Sequence, residues 1–524
     1  MASFLTNWDP ENNEFWAKTG KKIATRNLWI SIPALLLAFS VWMMWSIIIV
    51  QMQNLGFVFS SDPDKNKALL YALPAIAGLA GATLRIPNSF LIAIGGGRNV
   101  IFLTTLLLLI PTIGAGIALQ DINTPYMIFA ILAATSGFGG GNFASSMSNI
   151  SFFFPKRMQG TSLGLNAGLG NLGVSVMQFL LPVTMGLAIF GSIGGDGIGL
   201  PKDVGGKLAG TLVYIQNCGW TWVPILLIVI VAIWFGMNNL KSATPDIGSA
   251  IGGIGKSAFL VFLGVISASL GSYLLVMLKW NMWVVLPVTI VFSVMIMKYL
   301  SPSEIKLNLK KQFAIFNNKH NWIMTIIYTM TFGSFIGYAG AFPKLIQDVF
   351  GSLADGSVNP DAPNALTWAW IGPFVGAVIR PVGGWLSDKI GSGSRVTTGS
   401  TILQILAAFA VAYFIIEARE SASPNTYWWP FFISFMLLFI GSGIGNGSTF
   451  RSIPYIFPKD LAGPVLGWTS AIAAYGAFII PKVFGEQIAN KTPEYALYGF
   501  GVYYIICLGL NWYYYDRKNS EVKC

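Results

Sequence analysis

Charged residues are scarce in this sequence, and cysteine and histidine are scarcer still. Asp, Glu, Lys and Arg make up 10% of the 524 residues and hydrophobic residues 54%, whereas soluble domains carry about a quarter charged residues. An ordinary soluble enzyme and a disordered chain are therefore excluded. Three scattered cysteines exclude a disulfide framework, and a single histidine leaves no Cys/His cluster for a metal. The composition predicts an all-α polytopic membrane protein.

Long apolar runs separated by polar loops extend along the whole chain. If both termini are cytoplasmic, the inner segments carry roughly twice as many Lys and Arg residues as the outer loops, which is the positive-inside pattern. The net charge of +11 then belongs to loops at the membrane surface, and no nucleic-acid partner is expected. Fourteen runs are long enough to cross a bilayer as helices, at residues 28–52, 68–93, 99–119, 126–149, 160–190, 220–238, 256–276, 280–300, 321–342, 365–387, 397–417, 428–450, 462–488 and 496–516.

Two sequence segments recur and divide the chain. GATLRIP (81–87) resembles GAVIRPV (376–382), which places Arg85 over Arg380. GFGGGNFASSMSNISFFFPK (137–156) likewise resembles IGSGIGNGSTFRSIPYIFPK (440–459). Duplicated six-helix halves are typical of secondary transporters. We predict a cytoplasmic amphipathic segment at 1–27, a six-helix half at 28–240, an inserted two-helix hairpin with a cytoplasmic linker at 241–320, a second six-helix half at 321–516 and a cytoplasmic tail at 517–524.

Two arginines lie near the middle of predicted spans, where an arginine is costly. Arg85 and Arg380 are too far from the span ends for easy snorkelling, and no Asp or Glu falls in the central part of any predicted span. A planar fork of N–H donors suits a small oxyanion, so these residues predict an anionic substrate. Arg451 ends a span close to Lys459, and we expect its side chain to snorkel to the cytoplasmic face.

The fifth span is rich in glycine and contains two amides, Asn166 and Asn171, in an otherwise apolar helix. Its Gly168-x-Gly170-x-x-Gly173 pattern matches a dinucleotide fingerprint, but such a motif needs a preceding strand, which an apolar span does not provide. Helix packing explains the glycines. For Asn171, packing and substrate contact are both open. His320 lies at the cytoplasmic entry to span nine, and its closeness to the interface disfavours a proton relay.

Several long motifs resemble the nitrate/nitrite porter family of the major facilitator superfamily, and in particular its bacterial NarK-type antiporters. They are RNLWISIPALLLAFSVWMMW (26–45), LRIPNSF (84–90), GGGNFASSMSNISFFFPKRMQGTSLGLNAGLGNLGVSVMQ (139–178), FGMNNL (235–240), TFGSFIGYAGAF (331–342) and GSGIGNGSTF (441–450). The resemblance covers nearly the whole chain except roughly 241–315, the hairpin region. It implies a major facilitator fold of two six-helix halves, here with two extra spans.

The resemblance also implies which residues bind the substrate. Nitrate is expected between Arg85 and Arg380, with polar contacts from Asn171 and Tyr328 and aromatic packing from Phe143 and Phe332; Ala167 stands where the family usually has glycine. GGWLSDKIGSGSR (383–395) is similar to the superfamily's cytoplasmic loop, in which an acid and a base latch helix ends, and Asp388 and Arg395 match it. Nitrate, nitrite and the bilayer are the expected partners of a monomer in the bacterial inner membrane, with no cofactor or metal.

These expectations converge on a transporter that exchanges nitrate for nitrite by alternating access. Proton-coupled nitrate or nitrite symport is the alternative. The lack of a mid-span carboxylate counts against it, whereas His320 or protonation of the substrate leaves it open. A membrane enzyme would need paired acids or a metal cluster at depth, which this sequence lacks. A channel could also have an arginine-lined pore, and counterflow measurements would separate it from a carrier.

Overall fold

The chain is almost entirely helical in the computed structural model, which describes residues 4–202, 207–245, 247–353, 357 and 359–524. In the first part of the chain the helices are α1 Asn13–Phe15, α2 Lys21–Met43, α3 Trp45–Leu55, α4 Pro63–Asn88, α5 Ile92–Gly95, α6 Gly97–Leu106, α7 Leu109–Ala118, α8 Tyr126–Phe153, α9 Gln159–Thr184, α10 Gly191–Gly194, α11 Asn217–Trp220 and α12 Trp222–Gly236. They are followed by α13 Ala250–Ser272, α14 Met282–Leu300, α15 Ser303–Gln312, α16 Lys319–Tyr328, α17 Ser334–Phe350, α18 Ala365–Trp368, α19 Ile371–Ile390, α20 Gly393–Glu420, α21 Trp428–Ile456, α22 Lys459–Ala474, α23 Gly476–Ala489 and α24 Pro493–Asn511.

Short irregular helices and strands complete the described structure. Strand β1 (Phe4–Leu5) pairs in parallel with β4 (Asn239–Leu240), and β2 (Ile198–Gly199) pairs antiparallel with β3 (Leu212–Val213). Turns of 3₁₀-helix cover Lys156–Met158, Phe313–Asn317 and Pro424–Tyr427, and turns of π-helix cover Trp16–Gly20, Tyr273–Met277, Thr329–Gly333 and Trp512–Asp516.

All fourteen predicted spans fall on helices, but not all are equally apolar. Within the described residues, 11 helical segments are long and apolar enough to cross a membrane. The three predicted spans outside this group correspond to α4, α19 and α24. One of them, α19, carries Arg380, whose charge lowers the hydropathy of the apolar run. An all-α membrane fold is confirmed, and the count of fourteen spans stays a prediction.

The chain forms two compact units. The first contains Thr25–Asn149 and Val176–Gln312, together with the stretch that ends at Trp8; the second contains Asp9–Ala24, Ile150–Ser175 and Phe313–Cys524. Arg85 therefore lies in the first unit and Arg380 in the second. The predicted domain boundaries differ from this grouping and stay a prediction.

The predicted hairpin belongs to the first unit and packs against α4, the helix of Arg85. Its first helix, α13, comes so close that a Cβ atom on Gly264 would lie 2.7 Å from Cγ of Pro87 and 3.0 Å from Cδ2 of Leu84. A glycine is needed here because a side chain would hold the two helices apart. The Lys256 ammonium also pairs with Glu304 of α15 at 2.7 Å.

The turn between α19 and α20 follows from two residues at helix ends. Gly391 ends α19 with φ +77°, a left-handed conformation that favours glycine. Ser392 then caps α20, and its side chain accepts a hydrogen bond from the backbone N–H of Arg395. This turn brings the C-terminal end of α19, which carries Asp388, next to the N-terminal end of α20.

Candidate functional site

Arg85 is fully buried in the first unit, inside a cluster of aromatic rings. Its Nε donates a hydrogen bond to the carbonyl oxygen of Gly140 in α8. The guanidinium carbon lies 5.6 Å from the ring centre of Phe39, 5.0 Å from that of Trp42 and 4.7 Å from that of Phe143. All three distances fall in the range of cation–π attraction. The structure thus brings Arg85 and the predicted Phe143 together, along with two rings that sequence reasoning missed.

Arg380 is fully buried in the second unit and has fewer partners. Its guanidinium carbon lies 5.7 Å from the ring centre of Phe332 and 4.5 Å from that of Phe335. Nη1 donates a hydrogen bond to the carbonyl oxygen of Ala167 at 3.4 Å. Among the described residues, Nε and Nη2 have no hydrogen-bond partner and no carboxylate pairs with this side chain. Two of the three guanidinium nitrogens are therefore available to a ligand.

Asn171 and Ala167 lie on α9 directly beside Arg380. Nδ2 of Asn171 donates a hydrogen bond to the carbonyl oxygen of Ala167 at 2.6 Å, so this oxygen is shared by the amide and the arginine. The amide Oδ1 has no hydrogen-bond partner in the described part of the chain. A Cβ atom on Gly168 would lie 2.6 Å from Cδ of Pro381. The glycines of α9 thus allow a close approach to α19, which places Arg380 within reach of Ala167.

Tyr328 precedes an irregular turn in the ninth span, and Phe332 lies within it. Tyr328 ends α16, and Thr329–Gly333 form one turn of π-helix, a geometry often found at functional sites. The two rings stack with centres 5.7 Å apart and planes 9° from parallel. The Tyr328 hydroxyl donates a hydrogen bond to Oδ1 of Asn446 at 3.4 Å. The second unit therefore brings five predicted substrate residues together: Arg380, Asn171, Ala167, Tyr328 and Phe332.

The acid of the predicted loop latches a helix end, but through a different base. Oδ1 of Asp388 accepts a hydrogen bond from the backbone N–H of Gly160, and Oδ2 accepts from both N–H and Oγ1 of Thr161, at the N-terminal end of α9. A carboxylate there is stabilised by the free N–H groups and the helix dipole. Its ion-pair partner is Arg451, at 3.8 Å, whereas Arg395 is exposed and approaches Asp516 at 4.0 Å.

The expectation that Arg451 snorkels to the cytoplasmic face was wrong. Its side chain is only 4% exposed, and its guanidinium carbon lies 3.7 Å from the ring centre of Tyr455. The ion pair with a carboxylate and the contact with an aromatic face stabilise the buried guanidinium, as water would stabilise it if the side chain snorkelled to the surface. No sequence pattern indicated this pairing, because Asp388 is distant along the chain.

His320 lies apart from the residues around Arg380. Its Nδ1 is 3.0 Å from the Tyr515 hydroxyl, and its Nε2 is 3.4 Å from a carboxylate oxygen of Glu521. The neighbouring Lys319 ammonium hydrogen-bonds to Glu521 and holds the pKa of that carboxyl below its usual range. His320 thus joins the start of α16 to the last residues of the chain.

Sequence reasoning missed four residues of these two clusters: Phe39, Trp42, Phe335 and Asn446. Aromatic residues in apolar helices are ordinarily core or lipid-facing, so the rings carried no signal of their own. Asn446 did carry one, because it stands in GSGIGNGSTF, a segment of the internal repeat. The repeat aligns it with Phe143, the ring that faces Arg85.

Comparison with known proteins places the chain in the Major Facilitator Superfamily. The sequence profile of the Major Facilitator Superfamily matches residues 6–177 and 241–481. A xylose symporter structure, XylE bound to 6-bromo-6-deoxy-D-glucose, is similar with a TM-score of 0.63 and 12% identity, covering 94% of this chain and 96% of that chain. The human organic anion transporter MFSD10 is similar with a TM-score of 0.57 and 11% identity, covering 94% and 99%. At such identities the structures show the fold alone.

Relatives that match over their full length identify the family within this superfamily. "Nitrate/nitrite transporter NarU" of Salmonella typhimurium is 36% identical over 540 residues, covering 99% of this chain and 97% of that protein. "Probable nitrate/nitrite antiporter NarK2" of Thermus thermophilus is 36% identical over 525 residues, covering 100% and 98%. NarU of Escherichia coli K12 is 35% identical over 541 residues, covering 99% and 97%. The chain is a membrane transporter, not an enzyme, and belongs to the nitrate/nitrite porter family of the major facilitator superfamily.

Proposed function

We propose that this protein exchanges nitrate for nitrite across the bacterial cytoplasmic membrane by alternating access, with both termini inside. Arg85 and Arg380 are the two anion-binding groups. The single observation that supports this best is the state of Arg380, a fully buried cation with two nitrogens that lack a partner among the described residues. The names of the full-length relatives supply the identity of the anion.

The chemistry around Arg380 fits a small planar anion. Phe332 and Phe335 face the guanidinium, so the polar interactions of a ligand are directed to its N–H edge, where a planar oxyanion can accept two parallel hydrogen bonds. The amino group of Asn171 has two hydrogens, and the carbonyl oxygen of Ala167 takes one. The other hydrogen can be donated to the anion. Tyr328, Phe143 and Phe332 complete the proposed contacts.

Exchange rather than one-way transport follows from charge. A buried cation without a counter-ion is strongly destabilised once water is excluded. An empty occluded state should therefore be much less populated than one that holds a nitrate or nitrite ion. A carrier of this kind changes its open side only when it is loaded. One monovalent anion replaces another, so no proton and no net charge need to move.

Nitrate uptake into proteoliposomes tests this proposal. Purified full-length protein is reconstituted into vesicles that contain either nitrite or no permeant anion, and uptake of labelled nitrate is followed with and without a pH gradient. We expect uptake into nitrite-loaded vesicles only, with little effect of the gradient. Rapid uptake into anion-free vesicles driven by an inward proton gradient would contradict exchange and favour the symport alternative.

A further inference from the structure

The two arginines share a local arrangement that the repeated motifs encode. In α4, Gly81 precedes Arg85 by one helical turn, and in α19, Gly376 precedes Arg380 in the same way. Residues four apart lie on the same face of a helix. Each arginine therefore has a glycine directly beneath it, on the face that the arginine presents to its neighbours.

An aromatic ring occupies the space above each glycine. A Cβ atom on Gly81 would overlap the indole of Trp42, and a Cβ atom on Gly376 would lie 2.8 Å from both Cδ2 and Cε2 of Phe335. Real Cβ atoms do not come so close to ring atoms. The glycine is therefore needed at each position because the ring takes the place of a side chain.

The same two rings lie against the guanidinium groups. The guanidinium carbon of Arg85 is 5.0 Å from the ring centre of Trp42, and that of Arg380 is 4.5 Å from the ring centre of Phe335. A ring that packs on the glycine and contacts the arginine one turn further on restricts the directions in which the guanidinium can point. Stacked guanidinium groups keep their N–H edge available for hydrogen bonds.

The two rings are held differently. Nε1 of Trp42 donates a hydrogen bond to the carbonyl oxygen of Ala77 at 2.7 Å, which ties the indole to the helix of Arg85. Phe335 has no polar group and is held by ring packing, with its centre 6.4 Å from that of Phe332 and 6.1 Å from that of Phe439. The indole is therefore anchored in one orientation by a hydrogen bond, which the phenyl ring of Phe335 cannot make.

We propose that Trp42 and Phe335 are positioning residues that aim the guanidinium groups of Arg85 and Arg380 at the transported anion. This inference rests on the proposed function. The two glycines of the repeat create the space for the rings, and the rings orient the cations. Neither ring needs to touch the anion, so their removal should lower nitrate affinity through the arginines.

The experiment compares ring removal with ring replacement in the full-length protein. Trp42→Leu and Phe335→Leu remove the aromatic face and keep apolar volume, while Trp42→Phe and Phe335→Tyr keep a ring. Trp42→Met serves as a second ring-removal variant if Trp42→Leu does not fold. Trp45→Leu and Phe431→Leu are matched controls, because both side chains are fully buried and pack on other aromatic rings. Nitrate affinity is measured by calorimetry, and KM and maximal exchange rate in nitrite-loaded vesicles.

We expect ring removal to weaken nitrate binding by about 3- to 30-fold, the range of a cation–π contact, with a raised KM and a smaller change in maximal rate. The ring-keeping variants should stay within about threefold of the unmodified protein on the same scale. Folded ring-removal variants that bind nitrate normally, or ring-keeping variants that lose as much affinity as the leucines, would overturn the inference. An unmodified protein that binds no nitrate would instead overturn the proposed function, and the inference with it.

Discussion

The surroundings of Arg85 and of Arg380 differ although the two arginines occupy the same position of an internal repeat. Arg85 faces three aromatic rings and hydrogen-bonds to a backbone carbonyl, and one of these rings is itself hydrogen-bonded to the same helix. Arg380 faces two rings and also hydrogen-bonds to a backbone carbonyl, that of Ala167, while two of its nitrogens have no partner in the described residues. A duplicated motif has thus kept the cation and the glycine beneath it, while the rings around them have diverged.

From this difference we infer that the two arginines contribute to anion binding in different ways. The cluster around Arg85 is built to hold one orientation, whereas Arg380 can adjust its available N–H groups to the ligand. The second cluster also holds the amides of Asn171 and Asn446, so it offers more hydrogen-bonding groups. We therefore expect substitutions around Arg85 to act through rigidity and those around Arg380 to act through direct contacts.

The largest effect is expected when either arginine becomes lysine. Arg85→Lys and Arg380→Lys keep the charge but lose the planar fork, and each should weaken nitrate binding by about 100-fold or more, since each hydrogen bond to a charged group contributes about 1.5–3 kcal/mol. Calorimetric titration with nitrate measures the affinity. The exposed Arg395→Lys is the control and should leave it unchanged. Near-normal affinity in one of the two variants, with the protein folded, would show that only the other arginine binds the anion.

Adding a methyl group beneath each ring should lower nitrate affinity to a different extent at the two sites. Gly81→Ala forces a Cβ atom into the anchored indole of Trp42, while Gly376→Ala pushes on a phenyl ring that has no hydrogen bond. We expect nitrate affinity to fall about tenfold for Gly81→Ala and about threefold for Gly376→Ala, because displacement of the ring weakens the cation–π attraction more at the first site than at the second.

Two further glycines serve as controls for this pair. A Cβ atom on Gly78 or Gly399 would meet nothing within 4 Å, so Gly78→Ala and Gly399→Ala should bind nitrate normally. The affinities are compared in one titration series. A larger loss for Gly376→Ala than for Gly81→Ala would reverse the ranking of the two sites and show that Arg85 is the more adaptable one.

Asn171→Ala tests whether the second cluster relies on direct contacts. The amide can donate one hydrogen bond to the anion, so its loss should weaken nitrate binding by about tenfold, from about 1.5 kcal/mol, the lower end of the range for a hydrogen bond to a charged group, with exchange still detectable. Asn88→Ala is a matched control: Asn88 is buried, its Nδ2 donates to the carbonyl of Leu84 at 2.8 Å, and its Oδ1 also lacks a partner in the described residues. Equal affinities for the Asn171 variant and the unmodified protein would leave Asn171 as a packing residue.

The smallest effect is expected from the hairpin, which packs beside only the first of the two sites. Gly264→Ala would press α13 against Pro87 and Leu84 beside Arg85. Overpacking costs about 1–3 kcal/mol of stability, and because only part of that strain acts on the Arg85 site, we expect nitrate affinity to fall by about two- to threefold. Gly255→Ala, on the same helix with nothing within 4 Å of its Cβ, should have no effect. Equal affinities in both variants would mean that the hairpin does not influence the Arg85 site.

Strong, local features of the sequence predicted most of the fold. Each apolar run that was predicted to span the membrane falls on a helix of the structure. The reason is that a bilayer requires about 20 apolar residues in a helix whose backbone is internally hydrogen-bonded. Arg85 and Arg380 could also be recognised from the sequence as candidate functional residues, since a charge within an apolar run is costly and therefore rare.

Composition, hydropathy and the internal repeat were enough to identify a helical membrane transporter with a duplicated arginine, since all three are properties of the order of residues along the chain. The side chains that surround each arginine became known only from the packing of the helices. In the sequence, Trp42 and Phe335 are ordinary aromatic residues of apolar helices, and their contacts with the arginines arise because α2 packs on α4 and α17 packs on α19. Likewise, Arg451 pairs with Asp388 because α19 and α21 lie side by side. Contacts between distant segments depend on packing geometry, which the spacing of residues along one helix does not encode.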